Sequence, residues 1–269
     1  MRMAALSTGF QINHLDHLGP LAFHLDIPLI VDERRSVRLI ERLYPGVEYL
    51  YKQKGALTIA YLADHFDALI ISTRHYKNDL TPSFLLHGKE MVFIQSPHGH
   101  SEKEAITQYA GHTHAIIYGP AMRSMLKERQ IDIETIYEVG NYRLDYYKRH
   151  VASYEPLVAE LLDFPKKQPT LLYASTWDDA EMSSSLTTEG EAVLETIPDS
   201  LNLVVKLHPL SLERQPALTT HLIEKYSSST QVRFITEFPP VYTLFPHVDA
   251  YLGDFSSVGY DFLSTGKPM

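Results

Sequence analysis

Fourteen histidines stand in a chain of 269 residues that has no cysteine. Two of them close apolar runs that read as strands. The run Met91-Val-Phe-Ile-Gln-Ser-Pro ends in His98-Gly99. A neutral imidazole at a strand end can take a proton from a hydroxyl, and Gly99 permits an abrupt turn or a close ligand approach. A histidine that merely caps the turn reads equally well. The run Leu201-Asn-Leu-Val-Val leads into Lys206-Leu-His208-Pro209. Residues two apart on a strand share a face, so Lys206 and His208 are expected to project together and to suit a phosphate; the alternative is a solvated strand end.

Further strand ends add hydroxyls and carboxylates. Ala250-Tyr-Leu-Gly runs through Asp254 and Phe255 into Ser256-Ser257, with Asp261 one turn on. Free amides and serine hydroxyls at a helix start hold anions, although plain N-capping by Ser256 or Asp254 needs no ligand. Leu171-Leu-Tyr-Ala is followed by Ser175, Thr176 and Trp177, the single tryptophan. Thr176 reads as cleft lining and Trp177 as packing between domains. Gly140-Asn-Tyr-Arg143-Leu-Asp145 follows another strand, and a structural ion pair is the expected role of Arg143 and Asp145. His98-Gly-His100 and His112-Thr-His114 have one-residue spacing with no Cys or carboxylate cluster to complete a metal site. No Walker A, GxGxxG or GxSxG motif is present.

What must position these residues is an alternation of short apolar runs and amphipathic stretches. Strands are expected at 4–7, 28–31, 47–51, 68–72, 91–95, 115–118 and 136–139. Helices are expected at 17–25, 36–43, 57–65, 102–109 and 120–129. A long helical stretch follows over 142–162, interrupted at Pro156, and Phe164-Pro-Lys-Lys-Gln-Pro169 reads as a linker. Strands then recur at 170–174, 201–207, 232–236 and 250–253, with helices near 189–196, 212–226, 241–245 and 256–263. The rhythm implies βαβ units and mostly parallel sheets. The expected fold class is α/β of the GT-B type: two doubly wound Rossmann-like domains with a cleft between them. Residues 1–150 form the first domain, 151–169 a helix end and linker, and 170–269 the second. The sequence stops at Gly266-Lys-Pro-Met269, where a further strand is expected, so the second domain reads as truncated.

Bulk properties narrow the function. Hydrophobic residues are 44% of the chain and charged residues 21%, enough apolar mass for real cores. The net charge of -9 argues against nonspecific nucleic-acid binding. No run approaches the roughly 20 apolar residues that span a bilayer, and no signal peptide is evident at the N-terminus. The cysteine-free composition fits a cytoplasmic enzyme.

Taken in order, Ser96-Pro-His98-Gly99, Gly140-Asn-Tyr-Arg143-Leu-Asp145, Tyr173-Ala-Ser-Thr176-Trp177, Lys206-Leu-His208-Pro209 and Asp254-Phe-Ser256-Ser257-Val-Gly-Tyr-Asp261-Phe262 with Lys267-Pro268 resemble the CDP-glycerol glycerophosphotransferase family, the teichoic-acid primases and polymerases. The resemblance runs from about residue 91 to the end. It implies transfer of glycerol phosphate from a CDP-linked donor to a hydroxyl acceptor in cell-envelope polymer synthesis, without a dinucleotide cofactor; no cofactor is expected, and the histidine spacing gives no metal site. By it, His98 matches the histidine proposed as general base, His208 a histidine contacting the donor phosphates, and Ser256 and Ser257 the diphosphate-binding helix start. Asp261 matches an acidic residue of that motif with no role assigned to it. Lys206 and Thr176 fall with the donor-binding group, and Gly99, Arg143, Asp145 and Asp254 with its support. The implied partners are a nucleotide-diphosphate donor and a hydroxyl acceptor, with a lipid-linked acceptor and peripheral contact at the inner membrane face compatible with the family. Two positions depart from its pattern: Asp178 stands where arginine is usual, and His100-Ser101-Glu102-Lys103 replaces Thr-Pro and a lysine. Two other readings share the fold: a nucleotide-sugar glycosyltransferase or epimerase, and a binding protein without turnover.

Overall fold

A computed structural model describes residues 1–99, 104–178 and 183–269, with the backbone alone for 74, 75, 104 and 105. The chain divides into two compact units, Met1–His150 and Val151–Met269.

In the first unit the order is β1 (Met3–Ser7), α1 (Ile12–Leu25), β2 (Leu29–Val31), α2 (Arg34–Leu43), β3 (Tyr49–Tyr51), α3 (Ile59–His65), β4 (Ala68–Ile71), α4 (Arg74–Leu86) and β5 (Val92–Gln95). A 3-10 turn (Glu104–Tyr109), β6 (His114–Ile117), α5 (Pro120–Glu128), β7 (Thr135–Glu138) and α6 (Tyr142–Arg149) complete it. The strands form one parallel sheet in the order β3-β2-β1-β4-β5-β6-β7. Ala68, Leu69, Ile70 and Ile71 are all buried, as a strand covered on both faces requires. On one face Leu6, Leu69, Ile71 and Phe93 pack with Leu62 of α3 and Phe84 of α4, while α1 packs on β1.

Local signals start the helices. Thr58 caps α3 by accepting from the amide of Tyr61 at 3.1 Å, and Asn141 caps α6 by accepting from Leu144 at 3.1 Å. Pro120 opens α5 after Gly119.

The second unit holds α7 (Val151–Leu161), β8 (Thr170–Ala174), α8 (Ser185–Thr188), α9 (Gly190–Glu195), β9 (Asn202–Lys206), α10 (Pro209–Arg214), α11 (Pro216–Lys225), β10 (Val232–Ile235), 3-10 turns at Val241–Thr243 and Phe245–His247, β11 (Ala250–Gly253) and α12 (Ser257–Phe262), with a last 3-10 turn at Leu263–Thr265. Its parallel sheet runs β10-β9-β8-β11. Gly253 ends β11 where the backbone runs close to its neighbour. A Cβ there would lie 2.2 Å from Tyr251 Oη and 2.5 Å from the carbonyl oxygen of Ala174.

Five sequence expectations change; one is the short helix expected near 241–245, which is a 3-10 turn at Val241–Thr243. The helix expected from His17 begins at Ile12. Helix α4 was not expected; its apolar residues Tyr76, Leu80 and Phe84, four apart, pack on the core despite Pro82 inside it. The segment expected as a helix from residue 102 is a 3-10 turn from Glu104, and 102 and 103 lie outside the described residues. The long helix breaks at His150, not at Pro156. The reason is packing: α6 buries Tyr142, Tyr146 and Tyr147 in the first unit, whereas α7 buries Tyr154 and Val158 in the second.

Candidate functional site

Both sheets reverse their strand order once, between β1 and β4 and between β8 and β11. Such reversals open a crevice beyond the carboxyl ends of the strands, and sequence-selected residues lie at each.

At the first reversal, His98 follows β5 and reaches back to β4. Its Nδ1 lies 3.0 Å from the carbonyl oxygen of Ser72. A carbonyl only accepts, so Nδ1 carries the proton and donates it. Burial holds the imidazole pKa below its ordinary value, against an upward pull from that carbonyl. The ring is therefore neutral near pH 7, with the lone pair on Nε2, the form a general base needs. Gly99 beside it adopts φ 147°, a backbone conformation L side chains rarely take.

Two more histidines, from the first turns of α1, stand near. The His14 ring centroid is 6.0 Å from that of His98. Burial, reinforced by His98, lowers the His14 pKa to about 3. His17 is also held well below the ordinary range, by burial first and then by Arg143 and the other two rings. Its Nδ1 lies 3.3 Å from Tyr118 Oη, and the Tyr118 ring stacks on Tyr142 at 5.5 Å.

Under this group lies a buried ion pair. Arg143 of α6 bonds the Asp16 carboxylate of α1 through a terminal nitrogen and the Asp16 carbonyl through Nε at 3.2 Å. Tyr44 and Tyr147 also donate hydroxyls to that carboxylate. This corrects the pairing expected between Arg143 and Asp145. Residues two apart on a helix do not face each other. Asp145 instead points to Arg149 at 2.8 Å and His24 at 3.7 Å.

At the second reversal, Asp254 links three segments. Its Oδ2 accepts from the amide of Thr176 at 2.8 Å and from that of Ser185 at 3.1 Å. Thr176 is buried, and its carbonyl accepts from Ser184 Oγ at 2.9 Å. Ser256 stands at the N-cap of α12 but makes no side-chain capping bond, and its buried Oγ lies beside the Tyr251 hydroxyl. Neither simple capping account describes it, because Asp254 caps other segments. Ser257 is the first residue of α12. Asp261 turns inward, buried, and accepts from Tyr242 Oη at 2.8 Å. A pocket of about 280 Å³ is lined by Gly253, Asp254, Ser256, Gly259 and Tyr260 among others.

Lys206 ends β9, but the strand stops there and His208 is the N-cap of α10. The two-residue alternation expected to align them therefore does not reach His208. Its Nδ1 accepts from the amide of Leu210 at 3.1 Å, so the proton of the neutral ring sits on Nε2, which is a donor. Trp177 carries the Arg214 guanidinium over its ring at 4.4 Å. Asp178 is exposed, 3.4 Å from Gln215. His100 and Ser101 lie outside the described residues.

Sequence reasoning passed over Ser7, His14, His17, Ser72 and Tyr118. The spacing of His14 and His17, three apart on one helix face, was the available signal for the pair. Ser7 and Ser72 each end an apolar run, as His98 does. Among the described residues, no group of three or more His, Cys, Asp or Glu side chains could hold a metal ion, and no helix is long and apolar enough to cross a membrane.

Two sheets that each reverse order once, with polar residues gathered at the reversals, define an α/β enzyme fold of the GT-B type. The chain belongs to the CDP-glycerol:poly(glycerophosphate) glycerophosphotransferase family, whose model matches residues 85–269, more than half of its length. Among solved structures it is similar to the wall teichoic acid polymerase TagF, with 14% identity, 99% of this chain and 68% of that one covered, and a TM-score of 0.65. It is similar to UDP-GlcNAc 2-epimerase from Neisseria meningitidis, with 14% identity, 100% and 81% covered, and a TM-score of 0.66. The epimerase from Methanocaldococcus jannaschii matches at 14% identity with 100% and 82% covered and a TM-score of 0.62. No curated protein sequence matches the chain.

Proposed function

We propose that the protein transfers a glycerol-phosphate-type group from a CDP-linked donor to a hydroxyl acceptor in the synthesis of a cell-envelope polymer. The observation that carries the mechanism is the contact of His98 Nδ1 with the Ser72 carbonyl at 3.0 Å. It supports Nε2 as the base. In this reading the acceptor hydroxyl loses its proton to Nε2 as its oxygen attacks the phosphorus bearing the glycerol. The bond between the two donor phosphates breaks, CMP leaves, and His98 later releases the proton to solvent. The family match over residues 85–269 supports the donor class, and one TagF structure was obtained with CDPG.

The second unit, residues 151–269, is the donor side in this reading and the first, residues 1–150, the acceptor side. Lys206 supplies positive charge and His208 Nε2–H a hydrogen bond to the diphosphate. Ser256 Oγ and the amides at the start of α12 complete its cradle. Asp254 and Thr176 hold the strand ends that carry them. Asp261 and the Arg143–Asp16 pair position helices, and Asp145 lies on the exposed side of α6. Positioning and charge stabilisation supply most of the rate. The acceptor is a polymer end, lipid-linked in the growing chain, which places the enzyme in the cytoplasm in peripheral contact with the membrane.

A second reading has its own observation: the Neisseria epimerase matches with a TM-score of 0.66, level with TagF. It assigns a UDP-sugar to the same donor side. A thermal-shift screen against CDP-glycerol, CDP-ribitol, CMP, UDP-sugars and GDP-sugars separates the two. A ligand at 100 times its dissociation constant stabilises by roughly 2.7 kcal/mol. Cytidine-selective shifts support the transferase; UDP-selective shifts move the assignment to sugar chemistry.

A further inference from the structure

Among the described residues, three buried polar atoms at or next to the strand reversal of the first unit have no hydrogen-bond partner: Ser7 Oγ, Ser72 Oγ and His14 Nδ1. Both serines are wholly buried, and His14 is 7% exposed. The register of β1 on β4 runs from Met3 beside Ala68 to Ala5 beside Ile70. Carried two residues on, it sets Ser7 beside Ser72, on strands about 4.8 Å apart. Leu6 and Ile71 point to the face packed by α3 and α4. By alternation, Ser7 and Ser72 face the other side; α1 packs on β1, and its His14 ring lies 6.0 Å from that of His98. Ser72 is also the residue whose carbonyl holds His98.

Unpartnered buried polar atoms are costly and rare in folded proteins. Their chemistry indicates what completes them. His14 is neutral, its pKa pushed down to about 3 by burial first and by His98 second. A neutral ring and two neutral hydroxyls offer a phosphate no charge. Each hydroxyl both donates and accepts, and the ring does one at each nitrogen. The matching group is another hydroxyl, and the acceptor of the proposed reaction has one to spare if it is a polyol.

We propose that His14, with Ser7 and Ser72, binds the neighbouring hydroxyl of a vicinal-diol acceptor while His98 takes the proton of the attacking one. The proposal rests on the transferase reading above. It assigns a site outside residues 85–269, the part of the chain matched by the family model.

The test measures binding of sn-glycerol 3-phosphate, which has the vicinal diol, and of 3-hydroxypropyl phosphate, which lacks the second hydroxyl. Dissociation constants are compared while side-chain nitrogen resonances of the whole chain are followed by NMR. The expected result is that the diol binds about tenfold tighter, the worth of one hydrogen bond, and shifts the His14 nitrogens. His14→Ala then abolishes the preference without changing affinity for 3-hydroxypropyl phosphate, and His14→Asn restores part of it. Ser72→Ala, which keeps the carbonyl used by His98, also narrows the preference and serves if the His14 variants fail to fold. Equal affinities in the native chain, binding of neither probe, or a preference that survives both His14→Ala and Ser72→Ala would overturn the proposal. Because these readouts need no turnover, they are separate from the transferase reading, which fails instead if the native chain releases no CMP from CDP-glycerol.

Discussion

His98 donates through Nδ1 to the carbonyl of Ser72 across 3.0 Å, and that contact fixes which nitrogen can act. Replacing His98 by Ala is expected to lower turnover by roughly 10²–10⁴, the usual worth of a general base, with donor binding retained. The pH profile carries a sign. The His98 pKa lies below its ordinary value because of burial, so the base stays deprotonated as pH falls through 6.5. The acid limb of kcat/KM is expected below that pH. A limb above it would assign the titration to another group.

His208 does two jobs that substitution can separate. Its Nδ1 caps α10 by accepting from Leu210, and its Nε2–H is assigned to the donor phosphates. His208→Ala loses both, with about 1 kcal/mol of stability for the cap. His208→Asn offers a shorter capping oxygen in place of Nδ1, so its Tm is expected near that of the native chain while the KM for donor still rises. Thermal denaturation beside donor titration checks this; native donor affinity in the Asn variant would remove His208 from the site.

Asp16→Ala takes the carboxylate from the Arg143 guanidinium, which is 4% exposed in its side chain, and from the two tyrosine hydroxyls that donate to it. Removing one partner of a buried pair costs roughly 3–5 kcal/mol. Urea unfolding is expected to show a loss of that size. Asp145→Ala, at an exposed pair with Arg149, is expected to change stability by less than about 1 kcal/mol.

Acid is expected to destabilise the fold through its buried histidines. His14 titrates near 3 and His112 near 4, both because of burial first. Their folded values are depressed, so below 6.5 the unfolded chain binds more protons and stability falls with pH. The loss from His112 develops between 6.5 and about 4. His112→Leu is expected to flatten the dependence of Tm on pH in that window. An unchanged slope would assign the acid sensitivity elsewhere.

The fold was legible where burial dictates composition. Short, wholly apolar runs with β-branched residues, such as Ala68-Leu-Ile-Ile71, fit covered strands, and their alternation with helical stretches pointed to parallel sheets. Helix α4 was not expected, although Tyr76, Leu80 and Phe84 mark its buried stripe; Pro82 inside it interrupts the helical pattern. The helix break was misplaced at Pro156 because long-range packing, not the local breaker, ends α6 at Arg149. The strand-end positions of His98, Lys206 and Ser256 were legible because these residues interrupt or close apolar runs. Partners of the site were not legible. The pairing of Asp16 with Arg143 spans 127 positions, and nothing local to Asp16 announces it. The register that carries Ser7 towards Ser72 exists only once β1 pairs β4, from Met3 beside Ala68 to Ala5 beside Ile70.

The most direct test of the account is CMP release by the purified chain supplied with CDP-glycerol and a glycerol-phosphate acceptor, native beside His98→Ala. The account predicts acceptor-dependent release by the native protein, a loss of roughly 10²–10⁴ in the variant, and no turnover of UDP-GlcNAc. Turnover of UDP-GlcNAc without release from CDP-glycerol, or full activity in His98→Ala, would contradict it.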